Sequence, residues 1–468
     1  MLSKTENLSF SSTTLPGAAR SVDFDALRSG PHSTLHVFPL EALSASLKRC
    51  VNGCVNRCFN GKQRCKLPPG PEPVIYVEFK MKKVLLAATV SGLFAVAAHA
   101  QSSVTLYGVI DAGVVYANNS HTPGSASSGQ SWGVGSGNVS DTLWGLRGSE
   151  DLGGGMHAIF KLENGFNVNN GALTQSNAIF GRQAYVGLQS NQYGTVTLGK
   201  QYDSTVDYLA PLSEAGQGLG NNLAAHPFDN DNLDNSFSIS NSVKFASIDY
   251  AGFKFGGLYG FSNKAGAFSD NRAYSAGVSY ANGPLSIAAS YLQINNPGQG
   301  DNPNGAVSGA NNTATFVAAR QRTFGGGVNY AFGPATVGFV YTHTKLDGLD
   351  AINTNNGSTA LSGNSLRLDN YEVNTRYALT PAMSLEGAYT FTNGSFNTAA
   401  GDAKPKYHQF SLLADYDLSK RTDVYAEGVF QHASGGDGTV LGDADINGLS
   451  PSTTNKQVAV TVGMRHRF

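Results

Sequence analysis

The chain has 468 residues, with 32 Lys and Arg against 33 Asp and Glu and a formal net charge of −1. That balance argues against a general nucleic-acid binder, whose footprint would be a basic patch. After residue 100 no apolar run reaches eighteen residues, so no helical membrane span is expected there.

Residues 1–80 contain all four cysteines, Cys50, Cys54, Cys58 and Cys65. The first three are spaced to share one helix face, but neither a usual zinc spacing nor paired histidines accompany them, so no metal site is expected. Residues 81–100, MKKVLLAATVSGLFAVAAHA, have the order of a secretory signal: Lys82 and Lys83, an apolar run from Val84 to Ala98, and a small-x-small ending. Fifteen apolar residues rise only about 22 Å as a helix, short of a hydrocarbon core of about 30 Å. Cleavage between Ala100 and Gln101 is expected. An export signal works at an N-terminus, so residues 1–80 read as an upstream extension from a wrong start, and residues 101–468 as the exported product. Of the charges, 12 Lys and Arg and 6 Asp and Glu lie in residues 1–100, which leaves the remainder acidic, near −7.

From residue 101 the pattern is a series of segments of about ten residues in which apolar and polar residues alternate at period two. In VAVTVGMRHRF the even positions Val458, Val460, Val462, Met464 and Phe468 suit lipid, while the odd positions, including Arg465 and Arg467, suit water. Strands are predicted at 103–118, 141–151, 156–166, 180–190, 194–202, 238–250, 253–261, 272–281, 285–295, 320–331, 335–345, 369–379, 383–392, 406–417, 422–432 and 458–468. Seven tight turns, such as DLGGG at 151 and AFGP at 331, alternate with eight long polar connections, the longest at 203–237.

Short turns alternating with long loops are the pattern of an outer-membrane barrel. Backbone amides in hydrocarbon need internal partners, so such strands cross only as a closed barrel. The fold class expected is all-β, a 16-stranded antiparallel transmembrane barrel with short periplasmic turns, long external loops and a water-filled lumen. Tyr107, Tyr116, Tyr185, Trp144, Tyr330, Phe332, Tyr377, Tyr416 and Phe468 are candidates for its interfacial girdles.

The stretches SSVTLYGVIDAGVVY, LWGLRGSEDLGGGMHAIFKLENGF, GRQAYVGLQSNQYGTVTLGKQYD and VGMRHRF resemble the Gram-negative general porin family, in the form found in β-proteobacteria such as Burkholderia. The resemblance covers residues 81–468. It implies a homotrimer of barrels, each with its third external loop folded inward. It also implies a basic lumen cluster of Arg147, Arg182 and Lys200, with Asp111, Arg465 and Arg467 as further lumen-facing residues. The third loop supplies the facing carboxylates Asp203, Asp207 and Glu214. The enterobacterial Pro-Glu-Phe-Gly-Gly tip is replaced by PLSEAGQGLG, which leaves Glu214 and Asp207 as alternatives for the tip carboxylate. Phe468 and Met464 fit the family's assembly signal.

No Gly-x-Ser-x-Gly or His-Glu-x-x-His is present, and histidines 121, 157, 226, 343, 408, 432 and 466 are scattered, so neither an enzyme nor a cofactor is expected. The expected function is passive diffusion of small hydrophilic solutes and ions across the outer membrane. The expected partners are outer-membrane lipid, lipopolysaccharide and the barrel assembly machinery, with no nucleic acid. A substrate-specific channel would need an aromatic ladder along the lumen, and an adhesin would need a large passenger domain; neither is evident.

Overall fold

The period-two alternation is realised as eighteen antiparallel strand segments in one sheet that closes on itself. The computed structural model describes residues 103–468 apart from 122–127, 176, 218–221, 299–301, 303, 308–314, 356, 400 and 437. The signal segment, the Ala100–Gln101 junction and the four cysteines lie outside the described residues.

In chain order the segments are β1 (Ser103–His121), β2 (Ser128–Ser136), β3 (Leu143–Gly153), β4 (Met156–Gly165), β5 (Gln183–Ser190), β6 (Gly194–Gln201), β7 (Ile239–Ser247), β8 (Phe253–Gly260) and β9 (Ala273–Asn282). The second half holds β10 (Leu285–Asn295), β11 (Phe316–Phe332), β12 (Ala335–Thr354), β13 (Gly357–Thr380), β14 (Met383–Thr398), β15 (Gly401–Ala403), β16 (Lys406–Asp417), β17 (Thr422–Ser434) and β18 (Lys456–Arg467). β2 and β3 pair with successive halves of β1, and β15 and β16 pair with successive parts of β14, so each couple forms one stave. The barrel therefore has sixteen staves. β1 pairs with β18 from Val109↔Arg467 to Ala117↔Ala459, which removes the free edge.

Alternation sorts the side chains. On β18, Val460, Val462 and Met464 are exposed on the outside while Gln457, Thr461 and Arg465 are fully buried on the inside. Exposed aromatics crowd the outer surface from β7 to β17, among them Phe245, Phe255, Phe324, Tyr330, Phe332, Tyr377 and Tyr416. The arc formed by β18, β1, β3, β5 and β6 exposes mainly aliphatic residues, including Val104, Leu106, Val186, Leu188, Val196 and Leu198. Tyr107 and Tyr185, candidates for a girdle, alternate with outward Leu106 and Val186 and so turn inward.

All seven short turns fall where predicted, and every predicted strand is present. Three of the long polar connections differ: 119–140 contains β2, which pairs with the outer half of β1, and two others lengthen existing strands. The segment 346–368 is the outer half of a hairpin in which β12 and β13 stay paired up to Thr354↔Gly357. The segment 393–405 likewise extends β14 and adds β15. The reason is apolar packing above the membrane. Leu346, Leu349, Ile352, Leu361, Leu366, Leu368 and Phe396 form an inward core with Tyr407, Leu441 and Phe228, so these strands continue beyond the lipid.

Candidate functional site: the lumen and its third loop

The connection between β6 and β7, residues 202–238, turns into the barrel and packs on its inner wall. Asp203 starts it: its Oδ1 accepts from the Thr205 amide at 2.7 Å and its Oδ2 from Asn232 Nδ2 at 2.7 Å, which joins the outgoing and returning limbs. A helical turn at Thr205–Leu209 follows. Leu209, Ala210, Leu212 and Leu233 bury themselves against Ala288 and Val340. The wall makes room with glycine. A Cβ on Gly277 would lie 2.4 Å from the Tyr208 ring, and one on Gly325 would lie 2.8 Å from Leu209 Cδ2.

Further along, the loop is held by polar contacts. Asn374 Nδ2 donates to the Leu212 carbonyl at 2.9 Å, and the Glu214 amide donates to Glu372 Oε1 at 2.8 Å. His226 lies between two carboxylates, with Nδ1 2.6 Å from Asp231 and Nε2 2.9 Å from Glu372. All three are essentially inaccessible, at 2 % or less. Burial works against the imidazolium, but Asp231 and Glu372 overcome it and push His226 up to about 10. Gln409 of β16 then donates to the carbonyls of Ala224 and Ala225 at 2.8 and 2.9 Å. The loop thus hugs the inner wall from β9 to β16.

The wall across from it is charged. Tyr107 of β1 sits at its centre, with its hydroxyl donating to Glu163 at 2.8 Å. The Arg147 guanidinium lies 5.2 Å from the Tyr107 ring centroid and the Lys161 ammonium 5.7 Å from it. Lys161 also pairs with Glu163 at 2.9 Å. Arg182 reaches Asp141 at 2.9 Å, Glu163 at 3.3 Å and Asn235 Oδ1 of the loop at 2.8 Å. Lys244 of β7 pairs with Asp207 of the loop at 2.6 Å. Burial raises the Asp207 carboxyl above its ordinary value, and Lys244 and Lys161 draw it back down. Among the described residues Arg147 forms no ion pair, and its side chain is exposed to the lumen.

Arg182 touches Glu163 directly, and Arg147 approaches it through the Tyr107 ring. Lys200 does not join them. It continues the outward parity of Val196 and Leu198, pairs across the ladder with Ala184, and brings its ammonium to 3.5 Å from Ser240 Oγ. Its neighbour Gln201 is the residue that turns inward, fully buried. The loop carboxylates also separate. Asp203 is buried as the clasp just described, and Glu214 is buried against β13 because the loop lies flat on that wall. Of the three, only Asp207 faces the basic side.

The remaining expected lumen residues are inward and committed to packing. Residues 137–142, between β2 and β3, drop into the barrel and are pinned by Asp111, which accepts from the amides of Val139 and Ser140, each at 2.8 Å. Arg465 is covered by the same excursion, donating to Ser140 Oγ at 2.6 Å and pairing with Asp423 at 2.9 Å and Asp415 at 3.4 Å. Arg467 pairs with Asp423 at 2.6 Å. Lys161, Glu163 and Lys244 were not singled out from the sequence. The signal was there in FKLENG, where outward Phe160 and Leu162 leave Lys161 and Glu163 facing in.

Comparison with known proteins places this geometry. A model of the Gram-negative porin family matches residues 87–436. The chain belongs to that family. The porin is 33 % identical over 422 residues to an outer membrane porin protein of Bordetella pertussis, covering 83 % of this chain and all of the relative. It is 30 % identical over 403 residues to outer membrane porin protein 32 of Delftia acidovorans, again covering 83 % of this chain and all of that one. Among solved structures, an anion-selective porin from Comamonas acidovorans superposes with a TM-score of 0.59 at 27 % identity, covering 79 % of this chain and all of that chain. The porin is an integral β-barrel of the outer membrane and a diffusion channel: sixteen staves enclose a lumen too wide for side chains alone to fill.

Proposed function

We propose that the porin passes small hydrophilic solutes passively, without catalysis, and favours anions at its constriction. The observation that carries this reading is Arg147, a lumen-exposed cation over the Tyr107 ring that forms no ion pair among the described residues. Around it the wall and loop supply four cations, Arg147, Lys161, Arg182 and Lys244, against three carboxylates, Asp141, Glu163 and Asp207. The excess is small but lines the lumen wall that faces the folded-in loop, where an excess of one charge sign biases which ion passes. The Comamonas porin is described as anion-selective, which supports the same sign.

A homotrimer is the assembly that fits the outer surface. Lipid-facing barrels carry aromatic girdles, and the aliphatic arc centred on β1 lacks them over most of its height, as a surface facing other copies would. A related barrel fold from Vibrio cholerae has been solved in a trimer form. Lipopolysaccharide and the barrel assembly machinery are the further partners proposed. The test of the conduction reading is a planar bilayer with a salt gradient. The wild-type reversal potential should report anion preference; a cation preference, or silence, would reject it.

A further inference from the structure

The outer surface of β11, β12 and β13 carries a charge pattern that the channel does not use. Ladder pairing places Arg322 opposite Lys345, and Lys345 opposite Arg367, so three cations form a row across three adjacent strands. Arg320 adds a fourth one residue pair higher. Like charges placed directly opposite destabilise a sheet, so the row opposes folding in isolation. Two carboxylates pair with it among the described residues. Asp347 is shared by Arg320 at 2.7 Å, Arg322 at 3.1 Å and Lys345 at 3.3 Å, while Asp369 takes Arg367 at 3.2 Å together with Tyr341 and His343. Arg322 Nε has no hydrogen-bond partner among the described residues. The cations are one-third to one-half exposed, and their inward neighbours Gln321, Thr323 and Thr344 are the residues that face the lumen.

Depth identifies what the row meets. Phe324 lies two residues below Arg322 on the same face and stacks on His343 at 4.7 Å; Tyr341, Tyr371 and Phe391 continue the ring around the barrel. The opposite girdle includes Phe332, about 27 Å away along the strand and about 21 Å in height at a tilt of about 40°, close to the usual apolar band of about 25 Å. The same arithmetic puts Arg322 about 5 Å and Arg320 about 10 Å above the ring. A headgroup layer is about 5 to 8 Å thick on each side of the hydrocarbon. The long-loop end of these strands is the external one. The row therefore stands at headgroup depth in the outer leaflet.

We propose that Arg320, Arg322, Lys345 and Arg367 bind the phosphate of a phosphorylated lipid headgroup in the outer leaflet, a site that rests on the lipopolysaccharide partner proposed above. Arginine forks suit phosphate oxygens in a way a solvated surface cluster does not require, and Asp347 holds the donors convergent while leaving them in excess. The acyl chains of such a lipid would descend over Phe324, Tyr341 and Tyr371. The neutralised row would then cease to oppose folding.

The experiment uses purified, folded porin in a neutral detergent, titrated with diphosphorylated lipid A and read by native mass spectrometry. R322Q/K345Q/R367Q should bind at least tenfold more weakly than wild type, and K254Q, a surface cation at the short-turn end, should bind normally. Equal binding by the triple variant overturns the proposal. So does equal binding of lipid A stripped of its phosphates. Displacement of lipid A by equimolar inorganic phosphate would assign the row to a free anion and overturn the lipid. If heat-modifiable gel migration shows that the triple variant fails to fold, the single Gln variants decide. Each should weaken binding about threefold, and normal binding by all three overturns the proposal.

Discussion

Phe468 and Gly108 close the barrel together. The Phe468 amide donates to the Gly108 carbonyl at 3.0 Å, and the Gly108 amide donates to the Phe468 carbonyl at 3.1 Å. The ring occupies the place of a side chain at Gly108, where a Cβ would lie 2.3 Å from Phe468 Cζ. Deleting Phe468 or introducing Gly108→Val should therefore impair seam formation by different routes, loss of the ring and loss of its seat. The expected outcome is a several-fold drop in folded protein in the outer membrane, read by heat-modifiable migration, with normal single-channel conductance in whatever folds. Undiminished folded yield from both variants would show that the seam closes without this contact.

Selectivity should follow Arg147. Arg147→Gln removes one charge from the lumen, which at a few ångströms in water is worth about 1 kcal/mol, or about fivefold in ion preference. The reversal potential should move toward cations. Asp207→Asn, which releases Lys244, should move it toward anions. Glu214→Gln and Lys200→Gln should leave it unchanged, because one residue is buried behind the loop and the other faces outward. Both shifts should shrink between 0.1 M and 1 M salt as the Debye length falls from about 10 Å to about 3 Å.

The His226 clamp should make the third loop's attachment depend on pH in the alkaline direction. A histidine raised to about 10 contributes stability that is complete below its unfolded value near 6.5 and is lost as pH rises through about 10. Asp231 is lowered despite its burial, chiefly by His226, so its contribution is present above its unfolded value and is lost only in acid. Current fluctuations from loop movement should therefore be few at pH 6 and increase toward pH 10.5. His226→Ala leaves two buried carboxylates without their cation, a cost of roughly 3–5 kcal/mol, and should give noisy channels at neutral pH. Quiet His226→Ala channels would show that packing alone retains the loop.

The glycine bed beneath the loop predicts pore size. Gly325→Leu fills the space of Leu209 and Gly277→Leu fills that of Tyr208, so each should displace the helical turn toward the lumen and lower conductance by about a quarter or more. Liposome swelling with sugars of graded size checks the direction. Faster uptake of larger sugars would mean that the loop had instead detached.

N-terminal sequencing of the protein extracted from outer membranes should begin at Gln101. A sequence beginning before Met81 would show that the leading eighty residues are exported.

The membrane-spanning part of this fold was legible because lipid on one face and water on the other impose period two on each strand, and because turns and loops alternate in length. The outer halves of β12 to β14 were not, since Asn, Ser and Thr are frequent there and the pairing depends on Leu346, Ile352 and Leu366 meeting Phe396 across three strands. For the site, parity was a better guide than motif. It places Arg147 inward, and it would have set Lys200 outward from Val196 and Leu198 alone. The roles of Asp203 and Glu214 depend on how a loop of some thirty-five residues lies on a wall, which no local pattern specifies.

The outer hairpin of β12 and β13 has a consequence for transport kinetics. Its strands run about eleven residues past His343, which is about 37 Å along the chain and close to 29 Å in height at the same tilt. Anchored by an apolar core, this rim behaves as masonry and not as a hinged flap. One side of the mouth is therefore a standing wall that lengthens the path before the charged wall, and diffusive flux varies inversely with path length. Trimming the rim at Thr354–Gly357 should raise conductance without altering ion preference, separating how fast the pore delivers from what it admits.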